Sequence, residues 1–286
     1  MFVITGATGN TGSIATKTLL AAGRKVRAVV RDAAKAKPLA ELGAEIFVAD
    51  MTDQAALAKA FAGAQGVSLM SPPDLAATNF IADRKALTEK QVHTLASAHV
   101  PHVVVLSSVG SQHASGTGPI RTTYHLEQQV RAAGLAATFV RAGYFVENWG
   151  AVVHPLKQDG VLPTFIRPDQ VIPVVSAPDI GNALAQALLD GPQGTKIIEL
   201  SGPKDASPND VAALFSKILG KPVQVAPAPL SAVVPTFTSF GISQNIAELF
   251  QEMYEGIASG KVAPEGGPSV RGTTPLETTL RGLLGA

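Results

Sequence analysis

Short apolar runs alternate with stretches of helical periodicity through the first half of the chain. Residues 2–4, 25–31, 45–50, 66–70, 102–107 and 137–141 read as strands rich in Val, Ile and Phe, as strands covered on both faces are. Between them, 13–22, 33–42, 55–62, 79–98 and 120–133 read as helices, and Gly134 is placed to end the last. Alternation at this pace predicts an α/β fold, a doubly wound parallel sheet with helices on both faces. Beyond about residue 150 the pattern loosens. The segment 151–175 carries short β-like pieces broken by prolines, 178–190 reads as a helix and 196–201 as a further strand. From Ser207 on, helical stretches alternate with turns at Pro222, Pro227, Pro229 and Pro235.

The chemistry enters where the first strand ends. Gly6-x-x-Gly9-x-x-Gly12 joins that strand to the first helix. Gly6 permits a tight turn, Gly9 lets the backbone approach a phosphate, and Gly12 lets the helix pack close to the strand. The free N–H groups and positive dipole end of the helix then face an anion. Strand before and helix after give the triplet its meaning, a dinucleotide-binding turn. Thr8, Asn10 and Thr11 fall between the glycines and are counted with them. The expected division is a Rossmann domain over 1–150, rejoined by 176–200, with a smaller C-terminal α/β lobe made of 151–175 and 201–286.

Composition narrows the partners. With 286 residues, 46% of them hydrophobic, the chain can bury a sizeable core. A net charge of +1 without charge blocks offers no footprint for nucleic acid or a membrane, and no apolar run approaches the length of a membrane span. The absence of cysteine excludes disulfides, thiolate metal sites and thiol catalysis, and fits a cytoplasmic protein. The histidines, including His99, His102, His113 and His125, lack metal-ligand spacing, so no metal is expected. His113 and His125 read as solvent-facing or as substrate-orienting side chains.

Nineteen residues after Gly12, where an acidic residue would bond the ribose hydroxyls of NAD, stands Arg31. Its guanidinium suits the 2′-phosphate of NADP, with Lys35 and Lys37 close behind, while Asp32 leaves room for NAD. Asp50, followed by Met51, is placed to accept from the adenine amino group or to cap the next helix. The fourth strand ends in Ser71-Pro72 and the fifth in Ser107-Ser108, both lining the ribose and nicotinamide groove. Tyr124 and Gln128 share a helical face that could look into the same cleft. Leu126 and Val130 should pack inward, and Glu127 with Arg131 should form an exposed ion pair. Tyr144, Phe145, Asn148 and Trp149, after the sixth strand, make an apolar wall with one amide, suited to a flat aromatic acceptor; core packing of Phe145 and Trp149 is the competing reading.

These features resemble the short-chain dehydrogenase/reductase superfamily, and within it the atypical NmrA-like branch. The likeness is carried by G-A-T-G-N-T-G at 6–12, V-R-A-V-V-R-D at 26–32, V-A-D at 48–50, R-A-G-Y-F-V-E-N-W at 141–149, A-P-D-I-G at 177–181 and L-S-G-P at 200–203. The resemblance implies a Rossmann domain binding NADP(H) and a small domain closing over a cleft. Members include NAD(P)H-dependent quinone and azo-dye reductases, isoflavone- and lignan-type reductases, and non-catalytic redox sensors that bind transcription factors. Catalytic superfamily members carry Tyr-x-x-x-Lys on the fifth helix; here Tyr124 is followed by Gln128. The expectation is hydride transfer to a small conjugated aromatic acceptor, with a dinucleotide sensor that binds a protein partner as the alternative. A homodimer is compatible with either.

Overall fold

A computed structural model describes residues 1–285. Its first half runs β1 (Phe2–Thr5), α1 (Asn10–Ala21), β2 (Val26–Val30), α2 (Lys37–Glu41), β3 (Glu45–Val48), α3 (Gln54–Phe61), β4 (Gly66–Leu69), α4 (Phe80–Ser97), β5 (Val103–Ser108), α5 (Arg121–Ala132) and β6 (Ala137–Ala142). The second half runs β7 (Tyr144–Phe145), α6 (Val153–Asp159), β8 (Val161–Thr164), β9 (Val174–Val175), α7 (Ala177–Asp190), β10 (Thr195–Ser201) and α8 (Pro208–Leu219). It closes with β11 (Gln224–Pro227), α9 (Val233–Ser239), α10 (Gln244–Ala258), β12 (Ser269–Arg271) and α11 (Leu276–Leu284).

Eight strands form one sheet in the order β12-β10-β6-β5-β4-β1-β2-β3, every neighbouring pair parallel. The order reverses between β1 and β4, so a cleft opens there at the carboxyl ends of the strands. β1 shows why both faces must be covered. Phe2 and Ile4 face one apolar layer with Ala15, Leu19, Ile180 and Leu184, while Val3 faces the other with Leu57, Val92 and Leu126. Each large side chain so buried contributes about 1.5–3 kcal/mol. α7 returns to this domain and lies against α1. A Cβ on Gly181 would stand 2.5 Å from the Ile14 Cβ, so only glycine allows the approach.

A third apolar cluster, with Trp149, Leu156, Leu162, Phe215, Ile257 and Leu280, joins α6, α8, α10 and α11 outside the main sheet. The C-terminal segment does not stay there. β12 pairs with β10 and becomes an exposed edge of the large sheet, although 201–286 reads in the sequence as wholly part of the smaller lobe. Gly134, at φ +68°, ends α5 as its position predicts.

Candidate active site

The glycine turn is a backbone device. Gly6 sits at φ +61°, and the Gly9 amide donates to the Gly6 carbonyl at 2.9 Å. A Cβ on Gly12 would lie 2.4 Å from that same carbonyl oxygen, so a side chain there is incompatible with the turn. α1 follows immediately and has no side-chain cap on its N-terminal amides. Thr8, Gly9 and Asn10 are exposed and Thr11 is half-buried. Open donors, a positive helix end and a cradle that a Cβ would fill suit a diphosphate.

Arg31, past the end of β2, is exposed and makes no ion pair among the described residues. Its charge is felt by Asp50. The Thr52 hydroxyl and amide, bonded to Asp50 Oδ1 at 2.6 and 2.8 Å, lower the Asp50 pKa, and Arg31 and Arg84 add to the effect. The capping alternative for Asp50 fails, because Asp53 occupies the N-cap of α3 and accepts from the Ala56 amide. Met51 packs against the second apolar layer. Ser71 and Pro72 are half-buried at the end of β4, where Arg84 Nη1 donates to the Pro72 carbonyl at 3.3 Å. The loop they begin is tied to α10: the Ser243 amide and hydroxyl donate to the Leu75 and Ala77 carbonyls at 3.0 and 2.6 Å.

Two serines end β5 and diverge. Ser107 is buried and its hydroxyl donates to Glu127 Oε1 at 2.6 Å, turned away from the groove. Ser111 meets Ser107 at 3.1 Å and Thr123 at 2.6 Å, extending a line of hydroxyls along α5. Ser108 instead lines a cavity of about 150 Å³, and its hydroxyl donates to the Val109 carbonyl at 3.0 Å.

That cavity is walled by Tyr144, Phe145, Asn148, Phe250, Met253 and Ile257. Its volume is of the order that holds one benzene ring. Tyr144, Phe145 and Asn148 thus stand at one site. Trp149 is buried in the third cluster beside Tyr144, with ring centroids 5.8 Å apart. Tyr124 is half-buried and Gln128 exposed, and neither lines the cavity. His125 on the same helix approaches Glu89 of α4 at 3.9 Å; burial and Lys85 lower its pKa. A larger cavity of about 580 Å³ lies among Val174, Lys204, Leu214, Lys217 and Thr274. It contains no residue of the glycine turn or of β5, so its size does not make it the site.

Glu127 corrects the expectation of an exposed pair. Its side chain is 0% exposed, and Arg141 of β6 donates to both its oxygens at 2.9 and 2.8 Å. Arg131 stands 3.9 Å away and contributes less. Arg141 also meets Glu265 at 2.6 Å, which ties β6 to the C-terminal segment. Desolvation opposes the Arg141 charge, yet the two carboxylates hold its pKa above the ordinary value. Buried Glu199 then accepts from the amides of Glu265, Gly266 and Gly267. A charged residue inside T-F-V-R-A was the available signal, since a buried guanidinium requires a carboxylate. Phe250, Met253 and Ile257 recur along one face of α10, but nothing in that spacing says which cleft the face covers.

A family model described as NmrA-like matches residues 1–271. The chain belongs to the NmrA-like family. Over 256 residues it is 27% identical to an NAD(P)H azoreductase of Xenophilus azovorans, covering 89% of this chain and 86% of that protein. It is 25% identical to quinone oxidoreductase 2 of Escherichia coli (strain K12) over 264 residues, 91% of this chain and 89% of the relative. The structure of a Citrobacter sp. triphenylmethane reductase complexed with NADP(H) aligns with a TM-score of 0.85 at 21% identity, covering 99% of this NmrA-like chain and 100% of the other. That last likeness establishes the fold.

Proposed function

We propose that this NmrA-like protein is an NADP(H)-preferring oxidoreductase, with NAD(H) as a weaker cofactor, that reduces a small conjugated acceptor of the quinone or azo type. One observation carries the reading. A glycine turn that opens onto an uncapped helix N-terminus and an aromatic-walled cavity of single-ring size stand at the same carboxyl edge of one parallel sheet, at the ends of β1 and of β5 and β6. The names of the azoreductase and quinone oxidoreductase relatives favour the same chemistry.

A bound dihydronicotinamide supplies a hydride. The chain's own residues bind, orient and exclude water. The glycine turn and the α1 amides would hold the diphosphate, Arg31 the 2′-phosphate and Asp50, through its second oxygen, the adenine edge. Ser71, Pro72 and Ser108 would border the groove between the two sites. The aromatic wall would stack a flat ring and keep bulk water from the reacting carbon. A quinone or azo group is electron-poor, so it accepts hydride without a strong acid, which fits a helix α5 that carries Gln128 in place of lysine.

Mixing the protein and NADPH with a panel of quinones and azo dyes, while following the reduced-nicotinamide absorbance, tests this directly. Acceptor-dependent oxidation is expected. Tight NADPH binding with no oxidation across the panel would instead favour a dinucleotide sensor.

A further inference from the structure

We propose that the cavity of about 580 Å³ between β9 and α8 is a second binding site, for a small amphipathic carboxylate. Its ligand would carry an apolar chain and a single negative charge. The proposal does not depend on the acceptor reading above.

The walls come from four places in the chain. Val174 and Val175 of β9 form one side, Ala206 after β10 another, and Leu214 of α8 faces Leu276 at the start of α11. Hydrogen bonds fix these walls relative to one another. Asp179 of α7 accepts from the Thr273 and Thr274 amides, both at 3.1 Å, and from the Thr274 hydroxyl at 2.9 Å. The Ser176 and Thr279 hydroxyls meet at 2.6 Å, and the Gly202 amide donates to the Val174 carbonyl at 2.6 Å. The cavity is therefore preformed, and its volume falls within the range of small-molecule sites, about 300–1,000 Å³.

The charges at its wall select the occupant. Four charged side chains reach it: Lys204, Asp205, Asp210 and Lys217. Three are already engaged. Asp205 pairs with Arg271, Lys217 meets Glu277 at 2.8 Å, and Asp210 accepts from the Ser207 amide and hydroxyl at 2.8 and 2.7 Å. Lys204 is exposed and has no ion pair among the described residues; it acts on Asp210 only through space. One unpaired ammonium beside an apolar interior matches a single carboxylate with an apolar tail. The two aspartates tell against a phosphate or a dicarboxylate, which would bring further negative charge to the same wall. They do not invite a cation either, since each already has its partners.

This cavity is separate from the aromatic one beyond β5, with which it shares no lining residue. Both nevertheless draw on the same short ribbon. Tyr144 and Phe145 line the aromatic cavity, while Val174 and Val175, their paired neighbours, line this one.

Isothermal titration of the full chain with octanoate, 1-octanol and inorganic phosphate tests the site. Octanoate should saturate at one per chain, equally with and without saturating NADP+. 1-Octanol should bind at least about tenfold more weakly, a difference of about 1.4 kcal/mol, and phosphate should give no saturable heat. Lys204→Glu should weaken octanoate at least about tenfold and leave 1-octanol unchanged. Ala213→Trp, at an exposed position on the wall, should abolish octanoate binding while urea stability stays within about 0.5 kcal/mol of wild type. No saturable octanoate binding below about 1 mM would overturn the proposal. So would binding that survives Ala213→Trp, an affinity indifferent to Lys204→Glu, or phosphate binding as tightly as octanoate.

Discussion

The groove at the end of β1 is made by seven consecutive residues, Gly6 to Gly12, and mainly by their backbone, whereas the cavity beyond β5 draws its wall from segments scattered between Ser108 and Val262. The first site needs only a strand, a turn and an uncapped helix. The second exists only after α10 has folded back over the ends of β5 and β6. A backbone site constrains residue type tightly, because a single Cβ destroys it. A side-chain site constrains shape, and many apolar residues satisfy the same shape. The two halves should therefore fail differently when perturbed.

The largest effect is expected beneath both halves, at the buried pair that joins α5 to β6. Glu127→Ala leaves the Arg141 guanidinium without its main partner and should cost about 3–5 kcal/mol in urea unfolding. Gln128→Ala, one residue on and exposed, should stay within about 0.5 kcal/mol. Next comes Gly12→Val, which places a branched side chain against the Gly6 carbonyl. NADPH affinity, followed by nicotinamide fluorescence, should fall by at least about 100-fold, or about 2.8 kcal/mol. A retained affinity would show that the turn is not the phosphate site. Arg31→Ala should lower the NADPH-to-NADH affinity ratio about tenfold while leaving NADH binding nearly unchanged. An unchanged ratio would remove Arg31 from the 2′-phosphate. The smallest effect is expected for Tyr124→Phe, under about twofold in kcat/KM with menadione, because this side chain does not line the cavity. A large loss there would move the reacting centre toward α5.

The same contrast explains what could be read from the sequence. The six strands to Ala142 and their crossovers were legible because each is a short, doubly covered apolar run between helical periods. Gly6, Gly9 and Gly12 were legible because their conformational demand is local. Tyr144, Phe145 and Asn148 could be located because they follow a recognisable strand directly. Glu127 could not, since its helical spacing to Arg131 describes an exposed pair equally well. Only the fold brings Arg141 across from β6 and closes the site from water. Phe250, Met253 and Tyr254 were hidden for a related reason. Their spacing gives one face of α10, while the destination of that face depends on the Ser243 contacts to the β4–α4 loop and on the third apolar cluster. The return of β12 to the sheet edge was also invisible, since three exposed residues carry no strand pattern of their own.

The central claim is that the two halves of the cleft work on one electron pair, with the groove presenting a hydride to the cavity. Single-turnover mixing of the NADPH-loaded protein with menadione, comparing NADPH with its 4-deuterated form, measures that step itself. The account predicts decay of the nicotinamide absorbance that depends on menadione and slows on deuteration. A bound NADPH signal that persists unchanged in excess menadione, with or without deuterium, would contradict it.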